Sequence, residues 1–149
     1  MSDKKMLIIY GTETGNSELL AMDAEKLAND LEFDVTVNGM DEITISDIQE
    51  NENVLVVCST WGDGEQPDNA IDLYESIEDS DESSMAGVGF AVLALGDTAF
   101  DLFCEAGIQW DNILQEKGGK RVNERIDCDV DYEDDAEEWI EDTLNLFNQ

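Results

Sequence analysis

Small hydroxyl and amide side chains are concentrated near the start of the chain, where they could bind an anion. These side chains belong to Thr12, Thr14, Asn16 and Ser17, in a stretch that follows the apolar run from Met6 to Ile9 and also contains Glu13 and Gly15. A helix is predicted to begin there, because Leu20, Ala24 and Leu27 recur at helical spacing. The amides at a helix N-terminus carry about half a positive charge, which suits a phosphate. The same residue types also cap helices that bind nothing, and this stretch alone leaves both interpretations open.

Two known phosphate-binding patterns are excluded for this stretch. It lacks the Gly-Lys-Ser/Thr of a nucleoside-triphosphate-binding loop, and its glycines do not have the spacing of the dinucleotide fingerprint. A phosphate would therefore be held by backbone amides and hydroxyl groups, without a bound magnesium ion.

Two further stretches combine small or polar residues with an aromatic ring, and each follows an apolar run typical of a buried strand. The second stretch contains Ser59, Thr60, Trp61, Gly62 and Asp63. The third contains Leu95, Gly96, Asp97, Phe100, Phe103 and Cys104. A loop aromatic usually covers the core, but two of them beside a phosphate loop favour a flat ring held by stacking. A phosphate joined to a planar ring describes a mononucleotide.

The elements that would position these stretches alternate between strand and helix. Apolar runs predict strands, Val35 and Val37 predict a strand at a sheet edge, and a weak strand is expected from Arg121 to Cys128. The predicted later helices carry apolar faces made of Ala70, Ile71, Tyr74 and Ile77, of Ala106, Trp110, Ile113 and Leu114, and of Ala136, Trp139, Ile140, Leu144 and Phe147. This alternation predicts an α/β three-layer sandwich, in which a five-stranded parallel sheet of order 2-1-3-4-5 has helices on both faces.

Composition limits what the chain can be. Its 149 residues are expected to form one domain, 1–149, and 38 acidic against 7 basic residues give a formal charge of −31. Nucleic acid and anionic membranes are therefore poor partners, and the charge fits a docking face for basic proteins, adaptation to concentrated salt, or both. We expect a cytoplasmic protein, since neither a signal peptide nor a membrane-length apolar run is present. The three cysteines lack pairing motifs, so we expect buried thiols and no metal site.

The three stretches together resemble the FMN-binding motifs of the flavodoxins. The resemblance rests on Tyr10 to Asn16, Ser59 to Glu65, and Leu95 to Asp97 with Phe100, Phe103 and Cys104. It covers essentially the whole chain and is especially close to the FMN domains of diflavin reductases such as the sulfite reductase flavoprotein. The resemblance implies the flavodoxin-like fold. No reductase segment for NADPH follows, so we expect a free-standing short-chain carrier.

The resemblance also implies the roles of the site residues and the function. The first stretch would hold the FMN phosphate, with Glu13 contributing its backbone N–H, and the second and third would flank the isoalloxazine ring. Phe100 stands where many flavodoxins have Tyr. The implied function is low-potential one-electron transfer through a neutral semiquinone, without substrate turnover, by a monomer that docks reductase donors and acceptor enzymes through their basic faces.

Two other functions are compatible with parts of this pattern. A flavoenzyme such as a quinone reductase would need a nicotinamide pocket, for which the chain shows no spare segment. A phosphorylated receiver domain shares the predicted strand order but needs acidic residues after the first strand and an acceptor Asp after the third. Tyr10-Gly11 and Cys58-Ser59 occupy those places, so the chemistry of a receiver is excluded.

Overall fold

The computed structural model describes residues 5–11, 16–51, 53–59, 68–95, 104–128 and 133–147. Its strands are β1 (Lys5–Gly11), β2 (Asp34–Gly39), β3 (Asn53–Ser59), β4 (Gly89–Leu95), β5 (Lys120–Arg121) and β6 (Ile126–Cys128). Its helices are α1 (Asn16–Asp30), α2 (Ile45–Gln49), α3 (Asp68–Glu78), α4 (Glu105–Glu116) and α5 (Glu133–Phe147), with a 3₁₀ turn at Met40–Glu42.

The strands form one parallel sheet in the order β2-β1-β3-β4-β5, with β6 also paired to β4. This confirms the order predicted from the alternation of strand and helix. β2 lies at the edge, and its Val35 and Val37 are only half-buried, whereas the central strands are almost fully buried. An edge strand has one strand neighbour and less cover, which explains its alternating sequence.

Helices cover both faces of the sheet, which confirms the three-layer sandwich. Leu7 and Ile9 of β1 belong to a core that includes side chains of α3 and α4, such as Trp110. Met6 and Ile8, which alternate with them, belong to a second core shared with α1 and α5. Both faces of β1 are therefore buried, and this is why its sequence is a continuous apolar run.

The fifth position of the sheet differs from the expected single weak strand. It is filled by two short strands, β5 and β6, with residues 122–125 between them. Val122 still donates its backbone N–H to the Phe90 carbonyl of β4 at 2.8 Å. The next two residues bind to α5 instead: the Asn123 amide donates to the Thr143 hydroxyl at 2.9 Å, and the Trp139 indole donates to the Glu124 carbonyl at 2.9 Å. These bonds take the place of ladder bonds where the strand is divided.

Two arginines tie the divided strand to α4. The Asp111 carboxylate, which is nearly buried, accepts from Arg121 at 2.9 Å and from Arg125 at 3.2 Å. Arg125 also binds Asp127 at 2.7 Å. In a chain this acidic, these cations are used to neutralise a buried carboxylate, which would otherwise be costly to desolvate.

The helix α3 has a different phase from the expected one. Ile71, which the helical spacing predicts on its apolar face, is 38% exposed, and Leu73 is buried instead. Ala70, Leu73 and Ile77 share the buried stripe, and Ile71 is rotated away from it by about 100°.

Among the described residues, no helix has both the length and the apolar character needed to cross a membrane.

Candidate functional site

The carboxyl ends of four strands meet at one edge of the sheet. Gly11 ends β1 and pairs with Cys58, Ser59 ends β3 and pairs with Leu95, and Leu95 in turn pairs with Cys128. All three predicted stretches leave the sheet at this edge. Open α/β sheets bind ligands at such edges, at the point where the strand order reverses. Here that point lies between β1 and β3.

Part of the predicted site falls within the described residues. Asn16 and Ser17 begin α1, Ser59 and Leu95 end strands, and Cys104 immediately precedes α4. The others lie outside the described residues: Thr12, Glu13, Thr14, Gly15, Thr60, Trp61, Gly62, Asp63, Gly96, Asp97, Phe100 and Phe103. Their assignments stay predictions.

Ser17 is the described residue that most directly indicates a ligand. It lies in the first turn of α1 and is fully buried, yet its hydroxyl has no hydrogen-bond partner among the residues that the structure describes. A buried hydroxyl without a partner costs about 1–3 kcal/mol, so native proteins normally satisfy it. A phosphate fits this place, because its oxygens would accept from the hydroxyl at the positive end of a helix.

Ser59 joins the two strands on either side of the reversal. Its hydroxyl donates to the Gly11 carbonyl at 3.3 Å, and its side chain is half-buried. Gly11 itself has no room for a side chain, since a Cβ would lie 2.9 Å from the Met40 sulfur and 3.1 Å from the Cys58 sulfur. The end of β1 is therefore held close to its neighbours on both sides.

Tyr10 connects β1 to α1 across the start of the first predicted stretch. Its hydroxyl donates to the Glu18 carboxylate at 3.1 Å. Partial burial, followed by the bond to Glu18 and the nearby charges of Glu42 and Asp41, raises the pKa of Tyr10 to about 12. The tyrosine thus stays neutral, and the carboxylates of Glu18, Glu42 and Asp41 lie close enough to add to the effect of its burial.

Leu95 and Cys104 are the first and last residues of the third predicted stretch, and both are buried. Leu95 packs into the core beneath α1 and α5, so contact with a ligand there would use its backbone. Cys104 adopts a left-handed conformation, with φ 58°, and its thiol donates to the carbonyls of Ala94 at 3.5 Å and Cys128 at 3.6 Å. This thiol fixes the start of α4 to the ends of β4 and β6.

The three cysteines are buried free thiols, which confirms the prediction from the sequence. Burial is the largest cause of the raised pKa of Cys104, at about 12, and of Cys128, at about 11. Burial also raises the pKa of Cys58. None of the three is in a disulfide. Within the described part of the chain, no group of three or more His, Cys, Asp or Glu residues is placed to hold a metal ion.

Sequence reasoning missed two residues of this edge. Tyr10 and Gly11 belong to the first motif, but the motif assigns neither of them a role in positioning the site. The signal for Gly11 was its place between an apolar run and the polar stretch, where a close approach of backbone favours glycine. The bond between Tyr10 and Glu18 had no local signal, because the two residues are eight positions apart and belong to different elements.

Comparisons with known proteins agree with this geometry. The flavodoxin family profile matches residues 8–141. The chain is 39% identical over 98% of its length to the NADPH sulfite reductase flavoprotein alpha-component of Bacillus subtilis, and 36% identical over 97% to that of Vibrio parahaemolyticus. It spans about a quarter of the length of these relatives, 24% and 23%.

Solved structures of flavodoxins have the same fold as this chain. A flavodoxin of Streptococcus pneumoniae superimposes with a TM-score of 0.87 at 29% identity, covering 97% of both chains. Flavodoxin 2 of Bacillus cereus, in its oxidised form, gives a TM-score of 0.84 at 30% identity, again covering 97% of both chains. The chain therefore belongs to the flavodoxin family, and FMN is its cofactor.

Proposed function

We propose that this protein is a low-potential carrier that binds FMN non-covalently, shuttles single electrons between redox proteins through the neutral semiquinone, and turns over no substrate of its own. The family, the strand order and the ligand edge support the coarser part of this proposal, electron transfer on FMN. The observation that carries the site is the unpaired Ser17 hydroxyl, buried in the first turn of α1.

The proposed binding mode follows from where the strands end. The stretch between β1 and α1 would hold the phosphate through its amides and through Ser17. The stretches after β3 and β4 would enclose the ring, with Trp61 and Phe100 as the stacking side chains. FMN supplies the electron-accepting ring when bound, and the protein supplies its position, its exclusion from water and the charges around it.

The charge near the edge supports basic partners. Glu18, Asp41 and Glu42 all raise the pKa of Tyr10, so their field is felt at the end of β1 beside the site. A partner with a basic face would be steered to this region, and steering would weaken as salt screens it. We propose that reductase donors and acceptor enzymes dock here on a monomer, and a cytoplasmic location remains a prediction.

Sequence identity favours a more specific role, electron donation to a sulfite reductase. The chain is 39% and 36% identical to two sulfite reductase flavoproteins, but 29% and 30% identical to the two flavodoxins named above. An acceptor of the sulfite-reductase kind is therefore a second candidate. Reduced protein should then transfer electrons to a sulfite reductase lacking its flavoprotein component, and failure to support sulfite reduction would exclude this role.

The proposed function is tested by stepwise photoreduction of the FMN-loaded protein under anaerobic conditions. We expect the spectrum to pass through the neutral semiquinone before full reduction, and we expect no direct oxidation of NADPH by the protein alone. Direct two-electron reduction without that intermediate spectrum, or rapid NADPH oxidation, would identify a flavoenzyme instead.

A further inference from the structure

An open groove lies between α1 and α5, on the outer surface of the layer that these helices form. Its volume is about 620 Å³. Leu19 and Met22 line it from α1 and are 58% and 48% exposed, while the buried Ile140 of α5 also lines it. Exposed apolar side chains that share a groove mark interaction sites more often than scattered ones do.

The exposed apolar residues of α1 form a continuous patch along the groove. Leu19 and Met22 are three residues apart and so lie on the same side of α1, and Lys26 follows four residues later. A helix that binds in a groove between two helices packs its own apolar side chains against such a patch. The groove is therefore suited to an amphipathic helix.

The charged residues around the groove favour a bound helix that is basic. Asp23 and Glu137 line it together with Lys26, and further along the surface of α5 the carboxylates of Asp134 and Glu141 are exposed. A ligand that buries its apolar side in the groove would bring its polar side close to these carboxylates. Basic residues on that polar side would be stabilised, and acidic residues would be repelled.

The same charge argues against two other occupants. A second copy of the chain would bring a formal charge of −31 against −31, which repels except in concentrated salt. An anionic lipid surface would be repelled for the same reason. A cationic protein segment has no such penalty.

We propose that the groove between α1 and α5 binds a basic amphipathic helix of a partner protein. Both helices begin at the ligand edge of the sheet and run away from it, so Leu19 lies near that edge and Leu27 about 12 Å further along α1. A helix in this groove holds its parent protein beside the cofactor edge. The proposal does not depend on bound FMN and can be tested without it.

The probe is a synthetic helix built from Leu and Lys with all leucines on one face, labelled for fluorescence anisotropy and titrated with the full chain. The reference peptide has the same composition in a shuffled order that forms no apolar face. We expect binding of one helix per chain, with the shuffled peptide bound at least tenfold more weakly. Equal binding of both peptides would overturn the proposal, because it would show attraction by net charge alone.

Variants locate the binding surface. The double variant Leu19→Ser and Met22→Ser should weaken binding of the amphipathic peptide by at least tenfold, equivalent to about 1.4 kcal/mol. The matched control is Leu146→Ser, since Leu146 is 37% exposed on α5 but does not line the groove. Lys26→Glu should strengthen binding by about threefold, because it removes a like charge. Equal effects of the double variant and the control, or weaker binding by Lys26→Glu, would place the helix elsewhere.

Discussion

A single buried hydroxyl carries most of the structural support for a phosphate site. In Ser17→Ala the unpaired hydroxyl is gone, so the FMN-free protein should gain stability, by about 1 kcal/mol. The same change would remove the charge-assisted hydrogen bond that we propose to the phosphate, so FMN affinity should fall about tenfold to a hundredfold. Urea denaturation of the FMN-free protein and titration with FMN, followed by fluorescence, measure the two effects.

The opposite signs of these effects make the prediction specific. The control is Ser76→Ala, because the Ser76 hydroxyl lies on α3 and already donates to the Asp72 carbonyl at 2.9 Å. That variant should leave FMN affinity unchanged. Loss of stability in FMN-free Ser17→Ala together with unaltered affinity would mean that the hydroxyl has a structural role only.

The raised pKa values of the buried thiols predict how the free energy of unfolding depends on pH. Burial raises the pKa of Cys104 from 9.0 to about 12 and that of Cys128 from 9.0 to about 11. The folded state therefore favours the protonated thiols, and their contribution to stability is complete below pH 9 and is lost as the pH rises toward 11 and 12. The free energy of unfolding, measured in urea, should fall across this window.

A second measurement separates the thiols from other groups that titrate in alkali. Cys128→Ala should flatten the alkaline fall in stability, because it removes one of the groups with a raised pKa. A thiol reagent should label the native protein slowly and the unfolded protein at once. Rapid labelling of the native protein would contradict the burial described for all three cysteines.

At the scale of elements, the contact between α4 and β4 positions the start of the helix that follows the third predicted stretch. A Cβ on Gly107 would collide with the Cβ of Ala94 and lie 3.0 Å from its Cα. Gly107→Ala should therefore push α4 away from the sheet and destabilise the protein by about 1–3 kcal/mol, although alanine is the better helix former. Urea denaturation measures the change.

The control for this variant is Asn112→Ala, at an exposed position of the same helix. It adds no atom against the sheet and should alter stability little. If α4 is displaced as we expect, FMN affinity should also fall in Gly107→Ala, since Cys104 at the start of α4 is bonded to the ends of β4 and β6. A stabilised Gly107→Ala protein would show that α4 approaches the sheet less closely than described.

The sequence predicted those strands and helices that are determined by residues close together in the chain. Apolar runs located the central strands, and the alternation of strand and helix predicted their order. The division of the fifth strand was not predictable, because it depends on Asp111 binding Arg121 and Arg125 and on Thr143 binding Asn123, residues brought together from different elements. The predicted phase of α3 was wrong at Ile71. Ile71 and Leu73 are both apolar, and the sequence alone does not indicate which of the two lies on the buried side of the helix.

The edge of the sheet where the candidate site lies was predictable from the sequence, but the contacts of its residues were not. The stretches at the carboxyl ends of strands could be assigned from motif and order, and FMN is confirmed as the cofactor by the family. The unpaired state of Ser17 could not be foreseen, because burial of one hydroxyl depends on the packing around it. The ring-binding roles of Trp61 and Phe100 stay predictions.

At the scale of the whole molecule, the formal charge of −31 should make stability depend strongly on salt. Repulsion among surface carboxylates destabilises the compact state and is screened within about 3 Å at 1 M salt. If the charge is an adaptation to concentrated salt, the melting temperature should rise by about 10 °C between about 0.1 M and 3 M KCl. Differential scanning fluorimetry measures it.

An uncharged osmolyte at matched osmolality is the control for this experiment, since it favours compact states without screening charge. It should raise the melting temperature less than KCl does. A melting temperature that is flat in KCl would leave partner docking as the explanation of the acidity.

The most direct test of the account is reconstitution of the FMN-free protein with FMN. We predict that one FMN binds per chain, that the protein becomes yellow, and that flavin fluorescence is quenched as the ring is enclosed. Riboflavin, which lacks the phosphate, should bind far more weakly to the same preparation. A protein that stays colourless in excess FMN, or that binds riboflavin as tightly as FMN, would contradict a site built on the N-terminus of α1.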